Sequence, residues 1–181
     1  SVLYFANIYE SKGARVLLNA VLVAHEMNAK FVFTGGWRDD MEFKNKFLKD
    51  VEESAVDITV NEPSSGDKKF QMFADADVFV FPPIMPEGHP WVLVEAMSAG
   101  LPIIATDQGA ITESVIDGDN GFIVPAGDSN AILEKLRFLE QNKEERIRMG
   151  KRSRELFELG FSGEKLADNY TAIFNSAIQS S

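Results

Sequence analysis

The sequence predicts an α/β fold: a doubly wound, Rossmann-like parallel sheet of six strands with flanking helices. Two observations predict it. Short β-like runs alternate with helical stretches along the chain, which is the pattern of parallel strands joined by crossover helices. The 181 residues, 45% apolar and 25% charged, form one globular unit long enough to bury a core, with no repeat, low-complexity tract or linker to divide it. Six such units suggest the strand order 3-2-1-4-5-6.

The elements follow in chain order. "VLYFA" (2–6) reads as the first strand, followed by the loop "NIYESKG" and a helix over "ARVLLNAVLVAHEMN". "KFVFTG" (30–35) is the second strand. Residues 38–54 carry helical spacing through Met41, Phe43, Phe47, Leu48 and Val51. "DITV" (57–60) is a short third strand, "GDKKFQMFADA" a short helix with Asp67 near its start, and "DVFVFP" (77–82) the fourth strand. A greasy helix follows over Trp91 to Ala99, then "PIIAT" (102–106), a short helix "AITESVI" and the strand "GFIVP" (121–125). Helices at 128–141, 143–159 and 163–178 close the chain.

Charge narrows the function. The net charge of −10 argues against nucleic acid, whose backbone selects basic surfaces, and gives no support for binding anionic lipid. It leaves room for a small anionic ligand, because a few local donors hold a phosphate against an acidic average. There is no cysteine, which fits a reducing compartment and removes disulfides, thiolate metal sites and cysteine nucleophiles. No apolar run approaches the ~18 residues of a membrane span. The chain opens at Ser1 directly on an apolar run, and the expectation is an excised domain whose leading partner has been removed.

In a doubly wound sheet, ligands bind beyond the carboxyl ends of the strands, at the switch point between the first and fourth. The two chemically dense loops, "NIYESKG" with Lys12 and "PIMPEGHP" with Glu87 and His89, would face each other there. Gly88 lets backbone amides approach a ligand, and Pro90 or Trp91 starts a helix whose free amides favour an anion. Lys12 adds a cation, and together these suit a phosphate or diphosphate. Glu95, an acid in the middle of "WVLVEAMSA", needs compensation, and a diol could supply it with two hydrogen bonds. Taken singly, each residue has a plainer reading. Glu95 could be ion-paired within the fold, Glu87 a turn acid, Lys12 a solvated lysine, and His89 and His25 ordinary histidines. Trp37 and Arg38 could edge a base pocket, although a simple loop reads better. "DQGAITE", with Gly109 and Glu113, could be helix capping alone. The two histidines make no metal motif, and neither metal nor cofactor is implied.

The residues carry a family resemblance. The chain resembles the C-terminal, donor-binding domain of the GT-B retaining glycosyltransferases (glycosyl transferases, group one). The resemblance rests on the E-x7-E pair Glu87 and Glu95 within "PEGHPWVLVEAMSAGLPIIATDQGAITESVIDGDNGFIVPAGD". "NIYESKG" resembles the family's first turn with its phosphate lysine, and "GDKKFQMFADADVFVFP" the helix and strand before the motif. The resemblance covers nearly the whole chain. It implies that Glu95 holds the ribose hydroxyls of a nucleotide-diphospho-sugar and that Glu87 lies near the donor sugar. Backbone of Gly88, His89, Pro90 and Trp91 would contact sugar and diphosphate, Lys12 would neutralise the diphosphate, and the base would sit near Gly35, Val60 and Asn61.

Two departures stand out. Ala6-Asn7 replaces the Gly-Arg of many members, so Lys12 carries more of the diphosphate or binding is weaker; "PPIM" before Pro86 also differs. The family's first Rossmann domain, which supplies the acceptor site, is not in the sequence, and the resemblance implies that this domain alone is inactive. The resulting expectation is the donor domain of a hexosyltransferase in glycan or polysaccharide synthesis, cytoplasmic and at the membrane face. The alternatives are a non-catalytic nucleotide-sugar-binding module and a GT-B sugar-nucleotide epimerase. A nicotinamide dehydrogenase is disfavoured because "FANIYESKG" lacks G-x-G-x-x-G.

Overall fold

Six strands, β1 (Val2–Phe5), β2 (Phe31–Thr34), β3 (Ile58–Asn61), β4 (Val78–Phe81), β5 (Ile103–Thr106) and β6 (Gly121–Val124), pair in parallel in the order β3-β2-β1-β4-β5-β6. The computed structural model describes residues 1–38, 40–165, 167 and 171. The strand order is the one expected from the alternation. The helices are α1 (Ala14–Leu22), α2 (Met41–Glu52), α3 (Gly66–Ala74), α4 (Trp91–Ser98), α5 (Ser129–Gln141) and α6 (Lys143–Gly160).

Both faces of the sheet are covered, so its strands are apolar at successive positions rather than alternating with polar residues. The period of two still decides which side chain meets which layer. Val2 and Tyr4, Phe31 and Phe33, Val78 and Val80 join the core that includes α1 and α5. Leu3, Phe79 and Phe81, Ile103 and Ala105 join the core that includes α4. Helix α6 links the two layers: Met149 lies in the first core, and Leu156 and Phe157 pack against the second.

The element ends differ from the sequence reading where capping or turn chemistry intervenes. Helix α1 stops at Leu22, short of Asn28, although the buried positions continue through Val21, Ala24 and Met27. These are three apart, and the amides of Ala24 and Met27 bond to the carbonyls of Val21 and Ala24. Three-residue turns therefore carry the apolar stripe past the end of the α-helix. Helix α2 begins at Met41 because the Asp40 carboxylate accepts from the Phe43 amide at 2.9 Å. "AITESVI" forms only a 3-10 turn, Ala110–Glu113. The expected helix at 163–178 lies largely outside the described residues.

Tyr4 connects the sheet to the loop above it. Its side chain is fully buried, and its hydroxyl donates to the Asn7 carbonyl at 2.9 Å, with the Lys12 carbonyl at 3.4 Å. Burial pushes the phenol well above its usual pKa, and the nearby Tyr9 and Glu87 add to the shift. In the unfolded chain a tyrosine ionises near pH ~10. Above that pH the unfolded state holds fewer protons than the folded one, so stability falls as pH rises. Denaturant titrations on either side of pH ~10 should show wild type losing stability more steeply than Tyr4→Phe. At neutral pH the variant should cost about 1 kcal/mol for the lost hydrogen bond. Parallel pH curves for the two proteins would show that the buried phenol ionises as freely as in the unfolded chain.

Candidate active site

Parallel strands deliver all their carboxyl ends to one edge, and the loops there surround a cleft of about 350 Å³. Ala6 and Asn7 line it from the β1 loop, Gly35 and Gly36 from the β2 loop, and Pro63 and Ser64 from the β3 loop. Lys12 and Glu87 close one part of it, and Lys69 and Glu95 another. Pro90, Trp91 and Val92 bring the start of α4 to the same space.

The first charged pair joins the two loops expected to face each other. Lys12 Nζ lies 2.5 Å from Glu87 Oε1, both side chains largely buried. Hydrogen bonds to one another and to β5 hold these loops. The Ile84 amide donates to the Ser11 carbonyl at 3.0 Å, and the Thr106 hydroxyl to the Pro83 carbonyl at 2.7 Å. Gly13, at φ 73°, lets the β1 loop press on the β4 loop: a Cβ there would stand 1.8 Å from the Pro82 carbonyl oxygen.

Glu87 is braced from a third side. Its carbonyl accepts from the Ala110 amide at 3.2 Å, and its amide donates to the Gln108 carbonyl at 3.4 Å. This bridge needs Gly109, at φ 72°, where a Cβ would meet the Glu87 carbonyl oxygen at 1.9 Å. "DQGA" is thus a support for the acid as well as the entry to a 3-10 turn. Nothing in the sequence pattern links residues 87 and 109.

Glu95 lies one turn into α4, four residues after Trp91. Its Oε1 accepts from Lys69 Nζ of α3 at 2.5 Å. Its Oε2 is buried and has no hydrogen-bond partner among the described residues. The ion-pair reading of this acid therefore accounts for one oxygen and leaves the other unanswered. Such an orphaned buried acceptor costs about 1–3 kcal/mol, more when charged, until a donor reaches it. Ser64 Oγ is a second buried polar atom on the cleft lining with no partner among the described residues.

Helix α4 starts as the sequence suggests. Pro90 is its N-cap, with extended backbone and no side-chain capping bond, so the first-turn amides are not taken by a side chain. Trp91 is 74% exposed at this end.

Of the residues singled out in the sequence, Asn7, Lys12, Gly35, Glu87, Pro90, Trp91 and Glu95 meet at the cleft. Gly88, His89, Val60 and Asn61 do not line it. His89 instead has Nε2 2.8 Å from the Ser114 hydroxyl and stacks on Phe161, its ring centre 5.2 Å away. Asn61 is bonded within the sheet edge, its side chain to Thr34 at 3.4 Å and its carbonyl to the Gly35 amide at 3.2 Å. Trp37 packs on Phe43 and Phe47, and Arg38 lies over the Tyr9 ring at 4.3 Å. Sequence reasoning missed Lys69 and Ser64. A lysine in the first turn of a short amphipathic helix carries no local mark of its partner 26 residues away.

Comparison with known proteins gives the family. The profile described as glycosyl transferases group 1 matches residues 1–156. The capsular polysaccharide biosynthesis glycosyltransferase CapM of Staphylococcus aureus is 26% identical over 183 residues, covering 98% of this chain and 46% of that protein. The chain spans about half the length of the curated relatives it matches first. Among solved structures, the C-terminal domain of LpcC, a glycosyl transferase group 1 family protein from Francisella tularensis, superposes with a TM-score of 0.80 at 22% identity, covering 90% of this chain and 86% of that one. Anabaena HepE in complex with UDP gives a TM-score of 0.86 at 17% identity, covering 97% of this chain and 48% of that one. The sheet and its helices are those of the C-terminal half of a GT-B glycosyltransferase, and the chain belongs to the glycosyl transferases group 1 family.

Proposed function

We propose that this chain is the donor-binding domain of a glycosyltransferase that moves a sugar from a nucleotide-diphospho-sugar to an acceptor hydroxyl with retention. The observation that carries the reading is the buried Oε2 of Glu95, unpartnered among the described residues, on a cleft that also holds Lys12, Glu87 and the start of α4. A carboxylate oxygen with no donor suits a ribose hydroxyl. The uncapped first-turn amides and the dipole of α4 suit a diphosphate. An ammonium has three donors, so Lys12 can keep Glu87 and still offer a proton to a phosphate oxygen.

In this reading the bond from the sugar's anomeric carbon to the β-phosphate oxygen breaks, and the electron pair leaves with the diphosphate. The acceptor oxygen bonds to the same carbon on the same face, and its proton leaves with the departing phosphate. Lys12 and the α4 amides stabilise the charge that develops on the leaving group. Glu87, held by Lys12 and by the Gly109 bridge, is the acid assigned to the donor sugar in this reading. Glu95 binds the nucleotide without touching the reacting atoms. Asn7 lines the same cleft and carries no charge, and Lys12 is the cation paired with Glu87.

The chain's span of about half its relatives is the basis for a second, acceptor-binding domain in the whole enzyme, without which this one would not turn over. The setting would be cytoplasmic glycan or polysaccharide synthesis, in line with the capsular relative. None of the described helices is long and apolar enough to cross a membrane. UDP, bound by HepE, is the first nucleotide to test, beside GDP and ADP.

Calorimetric titration tests the site. Glu95→Ala should weaken the preferred nucleoside diphosphate by about ten- to a hundred-fold, the worth of hydrogen bonds to a charged group. An unchanged affinity would remove Glu95 from the site. Lys12→Ala should weaken the diphosphate by about ten-fold while changing the nucleoside little. Equal losses for diphosphate and nucleoside would assign Lys12 to loop structure instead.

A further inference from the structure

We infer that Lys69 is a positioning residue for nucleotide recognition: it holds Glu95 by one oxygen so that the other is presented to a ribose diol, and thereby sets the preference for ribo- over deoxyribonucleotides. The inference rests on the donor-site reading above and adds to it a residue outside the E-x7-E segment.

Lys69 is constrained from two sides. Its ammonium donates to Glu95 Oε1 at 2.5 Å and lies 5.1 Å from the centre of the Phe5 ring, a cation–π distance. Its side chain is only 23% exposed, unlike an ordinary surface lysine. Phe5, at the end of β1, also lines the cleft and packs against Phe73 of α3, with ring centres 5.4 Å apart and the rings tilted by 38°. The lysine is therefore tied to the end of the central strand, and through it the carboxylate on α4 is tied there too.

The pair divides the work between the two oxygens. With Oε1 taken by the ammonium, the carboxylate is compensated in its half-buried place and its rotation is restricted. Oε2 is left buried and without a partner among the described residues. A diol brings two donors and no charge, and it can meet this oxygen without competing for Lys69. Without the lysine, Glu95 would be free to turn toward solvent, and the ribose would meet an acceptor that is no longer held in place.

Ribose discrimination tests this. The 181-residue chain and its variants are titrated calorimetrically with UDP, GDP and ADP, then with the 2′-deoxy counterpart of the tightest. Wild type is expected to favour the ribonucleotide by about ten-fold, the worth of a hydrogen bond to a charged group. Lys69→Met keeps the length and apolar stem of the side chain. It should bring the two nucleotides within about two-fold of each other by weakening the ribonucleotide alone. Lys69→Arg keeps the charge and should restore most of the preference. In Lys69→Met/Glu95→Gln the ratio should be no lower than in Glu95→Gln, because both changes act on one carboxylate. A wild-type preference unaltered in Lys69→Met would overturn the positioning role while leaving the donor site intact. Equal weakening of both nucleotides in Lys69→Met would overturn it too, assigning the lysine to the phosphates. Wild type showing no ribose preference, or binding none of the three, would overturn the donor-site reading and this inference together. Thermal melts of each variant separate these results from unfolding.

Discussion

The cleft depends on two lysines compensating two glutamates. Glu95 is set in a helix whose Leu93, Val94, Ala96 and Met97 are all buried, and it keeps its place because Lys69 reaches it from α3. Glu87 sits in a proline-flanked turn with little regular structure, and Lys12 reaches it from the β1 loop. Each pair ties together elements distant in sequence. An acid without its cation would be costly at positions this largely withdrawn from solvent, the Glu87 side chain 15% and the Glu95 side chain 29% exposed. The two pairs are neutral as pairs, so the site is not a broad field of positive charge. What remains for an anion is specific: the spare donors of the lysines and the uncapped start of α4.

The scaffold makes these pairs possible. A parallel sheet buried on both faces gives six strand ends in fixed relative positions, and its loops meet above the junction of β1 and β4. Close backbone approaches at Gly13 and Gly109 then bring the loops together, since neither position has room for a methyl group. Tyr4 adds a hydrogen bond from the sheet to the loop that carries Asn7 and Lys12. The site is thus carried by loops, but by loops held at several points against rigid elements.

Much of this was legible in the sequence, for identifiable reasons. The strand runs are short, strongly apolar and separated by helical stretches, so the fold class and strand order followed from alternation and element count. The cleft followed from the rule that ligands sit at the switch point, which brought Lys12 and Glu87 together. The question raised by Glu95 was visible as an acid in a greasy helix. Its answer was only half visible, because the partner cation lies on another helix, and contacts between elements leave no periodic signal. The same holds for Glu87 and Gly109, and for Ser64. The His89 side chain follows its plainer reading, an ordinary histidine held by Ser114 and Phe161, contacts that no local pattern announces. The far end of α1 was overread because a three-residue period of buried side chains resembles a helical one.

The most direct measurement is a crystal structure of the chain with the nucleoside diphosphate it binds most tightly. The account predicts a ribose hydroxyl on Glu95 Oε2, Lys69 still on Oε1, and the diphosphate between Lys12 and the first turn of α4. A ribose away from Glu95, or Lys69 drawn off the carboxylate onto the phosphates, would contradict it.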